Sequence, residues 1–204
     1  MTSISHVTLD TPDPAKAETF YAAAFGLDDR IRTRASEETT SGFRGYTLSL
    51  VVSQPSTVVS LMGTALENGA TELKPAQKSF WGYGGALQAP DGAIWTIATS
   101  SKKDTAPPNR DIDEVVLLLG VDDVKASKKF YADRGMAVGK SFGGKYVQFD
   151  LPDSPVKFSL YPRKAAAKNA GVSPEGRTKR SQPLWRAWAP LSSARRQAMA
   201  PTSV

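Results

Sequence analysis

The chain has 204 residues, of which 40% are hydrophobic and 23% are charged, a composition typical of a globular protein with a substantial core. It contains no cysteine, which excludes disulfide bonds, thiolate metal sites and cysteine nucleophiles. The sequence shows neither a signal-peptide pattern nor an apolar run long enough to cross a bilayer, so we expect a cytoplasmic protein that is not inserted in a membrane.

The net charge of +6 is unevenly distributed along the chain. Residues 163–204 contain nine basic residues and one acid, Glu175, so this segment carries +8 and leaves −2 for residues 1–162. A basic segment without a recognisable nucleic-acid-binding module is better explained as a solvated tail. We therefore predict that residues 165–204 form a basic, disordered tail and that nucleic acid is not a partner.

The N-terminal segment has the pattern of a short unit made of a strand, a helix and a strand. A strand is predicted over 4–9, and a helix over 14–25 with Asp13 as its cap. A short strand follows at 30–34, and a polar loop at 35–42 leads into the next unit.

The segment 46–99 has the clearest pattern in the chain. It opens with a strand at 46–52 that is rich in β-branched and large apolar residues. The helix after it has an apolar stripe, with Pro55 in its first turn and Asn68-Gly69 as its stop. Three short strands are then predicted, at 71–75, 82–88 and 93–99, with a tight turn at 90–92 before the last.

Residues 101–111 are polar, contain prolines and show no periodicity, which predicts a linker. Beyond them the aromatic pair Phe130-Tyr131 repeats Phe20-Tyr21 at an offset of 110 residues, which indicates a duplication. A complete third unit is predicted over 112–164, with strands near 137–142, 145–150 and 156–161.

Two segments carry a resemblance to a known family: residues 89–97, which contain the turn and the last strand of the second unit, and residues 6–9, followed by the pair Phe20-Tyr21. They resemble the vicinal oxygen chelate superfamily of glyoxalases, extradiol dioxygenases and bleomycin-resistance proteins. The resemblance implies an α+β fold of repeated βαβββ units with curved mixed sheets. The sequence departs from this pattern in two places: the first unit of the domain predicted at 1–100 is abbreviated, and the second domain is incomplete because no strand alternation follows Gly176.

The same resemblance implies a divalent metal held by histidines on the opening strands and a glutamate on a closing strand. The matching positions in this sequence are His6, Thr47 and Val116 on the opening strands and Thr96 on the closing strand. Only His6 is a good metal ligand, and one imidazole does not hold a catalytic ion. We therefore predict that no metal cofactor is bound, and we assign no catalytic residue.

The aromatic segment around Trp81 and Tyr83, with Trp95 on the neighbouring strand, offers stacking surfaces beside glycines. An equally strong interpretation is that these rings belong to the core. The predicted ligand-binding residues are His6, Thr47, Trp81, Tyr83, Trp95 and Thr96.

Residues 139–145 have the glycine and lysine spacing of a phosphate-binding loop. Tyr146, however, stands where such a loop needs serine or threonine, and the residues after it alternate as a strand rather than opening a helix. The motif is therefore excluded as a phosphate site.

These observations favour a metal-independent protein, similar to the resistance branch of the superfamily, that binds an aromatic or planar small molecule in a cleft lined by sheets. The alternative is a metal-dependent glyoxalase-like lyase or a dioxygenase. A third interpretation is a member without a ligand, whose unpaired third unit associates with a second copy to form a homodimer.

Overall fold

The computed structural model describes residues 3–178 except residues 28, 39 and 81. In these residues the chain forms twelve strands and four helices. The strands are β1 Val7–Thr11, β2 Ile31–Ala35, β3 Thr40–Gly42, β4 Tyr46–Val51, β5 Thr71–Ser79, β6 Gly82–Gln88, β7 Ile94–Thr99, β8 Glu114–Val121, β9 Val138–Ser141, β10 Val147–Phe149, β11 Val156–Pro162 and β12 Gly176–Thr178. The helices are α1 Pro14–Phe25, α2 Pro55–Glu67, α3 Val124–Ala132 and α4 Arg163–Asn169.

Eight of the strands form one curved mixed sheet in the order β5-β6-β7-β4-β8-β11-β10-β9. The sheet consists of two βαβββ units, in each of which the opening strand pairs in parallel with the closing strand, β4 with β7 and β8 with β11. The two units join through antiparallel pairing of β4 with β8. The predicted α+β class and the repeated units with a curved mixed sheet are confirmed.

The first unit is abbreviated to β1, α1 and β2, and β1 pairs in parallel with β2 in a separate two-stranded sheet. Its helix packs on α2, and its apolar side chains join the main hydrophobic core. The division of the chain into domains at residues 101–111 stays a prediction, although hydrogen bonds between β4 and β8 join the second and third units.

The large sheet has two different faces because side chains alternate along each strand. Leu48, Leu50 and Trp95 point toward α1 and α2 and belong to the main core. We call this side the helix face. The opposite side, which carries Thr47 and Ser49, is called the polar face below.

The prediction of a disordered tail from residue 165 is wrong for residues 165–178. Residues 163–169 form α4, in which Ala166 and Ala167 are buried in a small second cluster, and β12 pairs with β3. The cluster consists of Phe43, Ile94, Ala166, Ala167 and Ala170. The predicted polar loop at 35–42 accordingly contains a strand, β3, and residues 179–204 lie outside the described residues.

Among the described residues, no helix combines the length and the apolar character that crossing a bilayer requires.

Candidate functional site

Hydroxyl side chains from neighbouring strands meet on the polar face. Ser49 of β4 lies opposite Thr96 of β7 in the parallel register, and the Ser49 Oγ and Thr96 Oγ1 atoms are 2.6 Å apart. The register continues across the sheet, because Thr47 pairs with Leu118 of β8, and Leu118 pairs with Ser159 of β11. Directly paired residues point to the same side of a sheet, so these side chains share one face.

Thr47 differs from the other hydroxyl residues of this face. It is 1% exposed, and its Oγ1 atom has no hydrogen-bond partner among the described residues. A buried hydroxyl group without a partner costs about 1–3 kcal/mol, so such a group is unusual in a folded protein. Thr47 therefore has an unused donor and acceptor, which a bound molecule can satisfy only where the group becomes accessible.

Aromatic side chains flank the hydroxyl residues at the β10 and β11 side of the polar face. The hydroxyl group of Tyr146 lies 3.1 Å from Ser159 Oγ, and its ring centroid lies 6.3 Å from that of Tyr161. Phe142 follows with a centroid distance of 6.2 Å to Tyr146, and it is 65% exposed. We call Phe142, Tyr146 and Tyr161 the tyrosine cluster; none of them was predicted from the sequence to belong to the site.

Trp95 lies on the helix face and does not line the polar face. Its side chain is completely buried, with ring centroids 5.4 Å from Tyr21 and 4.9 Å from Phe25. Its strand is buried on both sides, so the alternation of polar and apolar residues does not reveal which way the ring points. The interpretation of Trp95 as a core residue fits this position.

Two other predicted site residues also lie away from the polar face. Tyr83 is on the helix side of β6, donates a hydrogen bond to the carbonyl oxygen of Ala76 at 3.2 Å, and borders an open groove of about 590 Å³ beside α2. His6 precedes β1, and its Nδ1 atom is 2.9 Å from Ser5 Oγ. Trp81 lies outside the described residues. The structure thus brings Thr47 and Thr96 to one face and separates Tyr83, Trp95 and His6 from them.

The residues of the polar face do not fit a divalent metal ion. Of the positions matched to the family's ligands, Thr47, Thr96 and Val116 lie on this face, and none has an imidazole or carboxylate group. In the described part of the chain, no three histidine, cysteine, aspartate or glutamate side chains converge on one point. Hydroxyl groups alone are poor ligands for zinc or iron.

Asp91, in the turn that carries the family resemblance, has a structural role. Its Oδ2 atom accepts a hydrogen bond from the Tyr21 hydroxyl group at 2.7 Å, and its Oδ1 atom accepts one from the Ala93 amide at 3.0 Å. Arg44 donates to the Asp91 carbonyl oxygen. Burial, reinforced by the nearby Asp91 carboxylate, raises the pKa of Tyr21 well above its usual value of 10. The turn thereby anchors α1 to the second unit.

The Tyr21→Phe variant is expected to lose about 1.5–3 kcal/mol of unfolding free energy at pH 8, because a buried hydrogen bond to a charged carboxylate is removed. The raised pKa means that the unfolded chain loses the Tyr21 proton first as pH increases, so the wild-type protein loses stability above about pH 10. This alkaline loss should be smaller in the variant. Urea unfolding at pH 8 and at pH 10.5 measures both effects.

Burial also raises the pKa values of Tyr46 and Tyr131, so part of the alkaline loss should remain in the variant. Equal alkaline losses in the wild type and in Tyr21→Phe would contradict the assignment to Tyr21.

No protein-family model matches the sequence, and no curated protein matches it. The structure is similar to glyoxalase I from Zea mays, with a TM-score of 0.55 and 15% identity over 78% of this chain and 66% of that chain. It is also similar to a putative dioxygenase from Bacillus subtilis, with a TM-score of 0.54 and 14% identity over 78% of this chain and 63% of that chain. This likeness agrees with the βαβββ units of the eight-stranded sheet. The chain therefore has the fold of the vicinal oxygen chelate superfamily.

Proposed function

We propose that the protein binds a planar or aromatic small molecule on the polar face without a metal ion. The observation that carries the proposal is the composition of this face, where hydroxyl groups and the tyrosine cluster lie together and the matched ligand positions Thr47, Thr96 and Val116 hold no imidazole or carboxylate group. Ligand pockets are commonly apolar surfaces with a few placed polar groups, and this face has that character.

The polar face supplies two kinds of interaction. The rings of Tyr146 and Tyr161 offer a surface for a flat ligand, and an aromatic pair contributes roughly 0.5–1.5 kcal/mol beyond the area that it buries. The Ser49–Thr96 pair offers hydrogen bonds to the ligand's polar edge, and the unpartnered Thr47 hydroxyl group, which is buried, would add one once it is exposed. Stacking would supply affinity, and the hydroxyl groups would fix orientation.

The Tyr146→Leu variant is expected to bind planar aromatic molecules about tenfold more weakly, since loss of one stacked ring removes about 1.4 kcal/mol. The probes are 2-naphthol and riboflavin, titrated into the purified protein and followed by isothermal titration calorimetry. Tyr83→Leu is the matched control, because it removes the same kind of side chain from the helix face and should leave the affinity unchanged.

The alternative function is a metal-dependent lyase or dioxygenase, in line with the names of the two similar structures. Elemental analysis of protein purified without chelator separates the two functions. Stoichiometric zinc, iron, manganese or nickel would favour the enzyme, as would probe binding that depends on added metal. Equal weakening by Tyr146→Leu and Tyr83→Leu would argue against a site on the polar face. A cytoplasmic location and a homodimer stay predictions from the sequence.

A further inference from the structure

Helix α4 lies on the polar face, whereas α1 and α2 lie on the helix face. It contacts β8, β11 and β4, and it approaches the sheet most closely at Gly120. A Cβ atom at Gly120 would lie 3.1 Å from Arg163 Cα and 3.4 Å from Ala166 Cβ. Gly120 is two residues beyond Leu118 on β8 and therefore points to the same face. The backbone of α4 thus rests directly on the sheet at this end of the face.

The end of the polar face that α4 covers is the end where Thr47 is buried. Ile94, at the start of β7, packs with the alanines of α4 in the second cluster. The parallel register pairs Leu48 with Trp95, and its continuation by one residue places Thr47 beside Ile94. The unpartnered hydroxyl group of Thr47 therefore lies on the strand next to the residue that α4 contacts.

The segment 163–178 is held in place by the pairing of β12 with β3, by the second cluster and by Arg163. Arg163 Nη2 donates to the carbonyl oxygens of Phe43 at 3.0 Å and Gly176 at 3.2 Å, and Nε donates to that of Pro174 at 3.2 Å. The guanidinium group also lies 5.1 Å from the centre of the Phe43 ring. The second cluster does not include residues of the main core, so opening of this segment need not disrupt that core.

We propose that residues 163–178 form a lid over one end of the polar face, and that the lid opens while the main core stays folded. Opening exposes Thr47 and extends the surface available to a planar ligand. The role of the lid in ligand entry rests on the proposed function, whereas its opening is independent of any ligand.

The absence of cysteine from the sequence allows a direct test with single-cysteine variants. Thr47→Cys reports exposure beneath the lid, and Ala65→Cys, at a completely buried position of α2 in the main core, reports opening of that core. The rate of iodoacetamide labelling is measured for each full-length variant. Cys at position 47 is expected to react at least about tenfold faster than Cys at position 65, because local opening is more frequent than opening of the core.

Two further substitutions should loosen the lid. Gly120→Ala inserts a methyl group between α4 and β8, and Arg163→Ala removes the side-chain hydrogen bond that joins this segment to Phe43, together with two hydrogen bonds within the segment. Each is expected to raise the labelling rate at position 47 by about tenfold and to leave the rate at position 65 unchanged. Gly63→Ala is the matched control, because no atom lies within 4 Å of its added Cβ and alanine favours the helix, so it should raise neither rate.

Equal labelling rates at positions 47 and 65, both in the otherwise wild-type chain and in the Gly120→Ala and Arg163→Ala variants, would contradict the proposal of a lid. Position 47 would then be exposed only when the main core opens. Should Gly120→Ala fail to fold, Arg163→Ala provides the same comparison. Fast labelling at position 47 without binding of 2-naphthol would support the opening of the lid and would count against the proposed function.

Discussion

Replacement of Trp95 by alanine is expected to lower the free energy of unfolding by about 3–5 kcal/mol, the range observed when large buried aromatic residues are truncated. The indole is completely buried between the rings of Tyr21 and Phe25, which belong to the first unit. Truncation would leave a cavity at the point where α1 meets the sheet. Urea unfolding at neutral pH, followed by circular dichroism, measures the change.

Phe142→Ala is the matched control for this prediction, because Phe142 is an aromatic residue with most of its surface in solvent. Its truncation should change stability by no more than about 0.5 kcal/mol. A Trp95→Ala variant that is as stable as Phe142→Ala, but that binds planar probes weakly, would indicate that Trp95 contributes to ligand binding rather than to the stability of the core.

Substitution of Gln54 by leucine is expected to cost about 3 kcal/mol of stability, because buried backbone groups would lose their partners at about 1–3 kcal/mol each. Gln54 is completely buried just before α2 and bonds to the segment predicted as a linker. Its Oε1 atom accepts hydrogen bonds from the amides of Thr105 at 3.1 Å and Ala106 at 2.9 Å. Its Nε2 atom donates to the carbonyl oxygens of Ala106 and Pro107, both at 3.0 Å.

The Gln54→Leu variant is compared with Gln77→Leu, at an exposed position of the edge strand β5, by urea unfolding under the same conditions. The control should lie within about 0.5 kcal/mol of the wild type. A loss of less than about 1 kcal/mol of unfolding free energy in Gln54→Leu would contradict this prediction. It would mean that the backbone groups that Gln54 binds form hydrogen bonds with water instead.

The elements that depend on local signals were predictable from the sequence. Helix α1 begins at Pro14 after the Asp13 cap and ends at Phe25, as predicted, because capping and apolar spacing act within a few residues. Helix α4 was not predicted. Its short alanine-rich sequence lies in a basic segment, and it is buried through contacts with residues such as Phe43 and Ile94, which are distant in the chain.

The candidate site was only partly predictable, for a different reason. Thr47 and Thr96 were predicted because they occupy positions that match the family's metal ligands, and both lie on the polar face. Tyr146 was considered only as the residue that excludes a phosphate-binding loop. Its position beside Ser159 and Tyr161 depends on the pairing of β10 with β11, which no short-range pattern in the sequence specifies.

Central pairing of β4 with β8 leaves β5 and β9 as the outermost strands of the large sheet. Neither is suited to adding a strand from another molecule. β5 contains Pro75, two lysines and irregular register, and β9 has only four residues, including Lys140. Such features discourage edge-to-edge growth and protect against aggregation. If two copies of this chain associate, we therefore expect contacts between side chains rather than a backbone ladder that runs through both molecules.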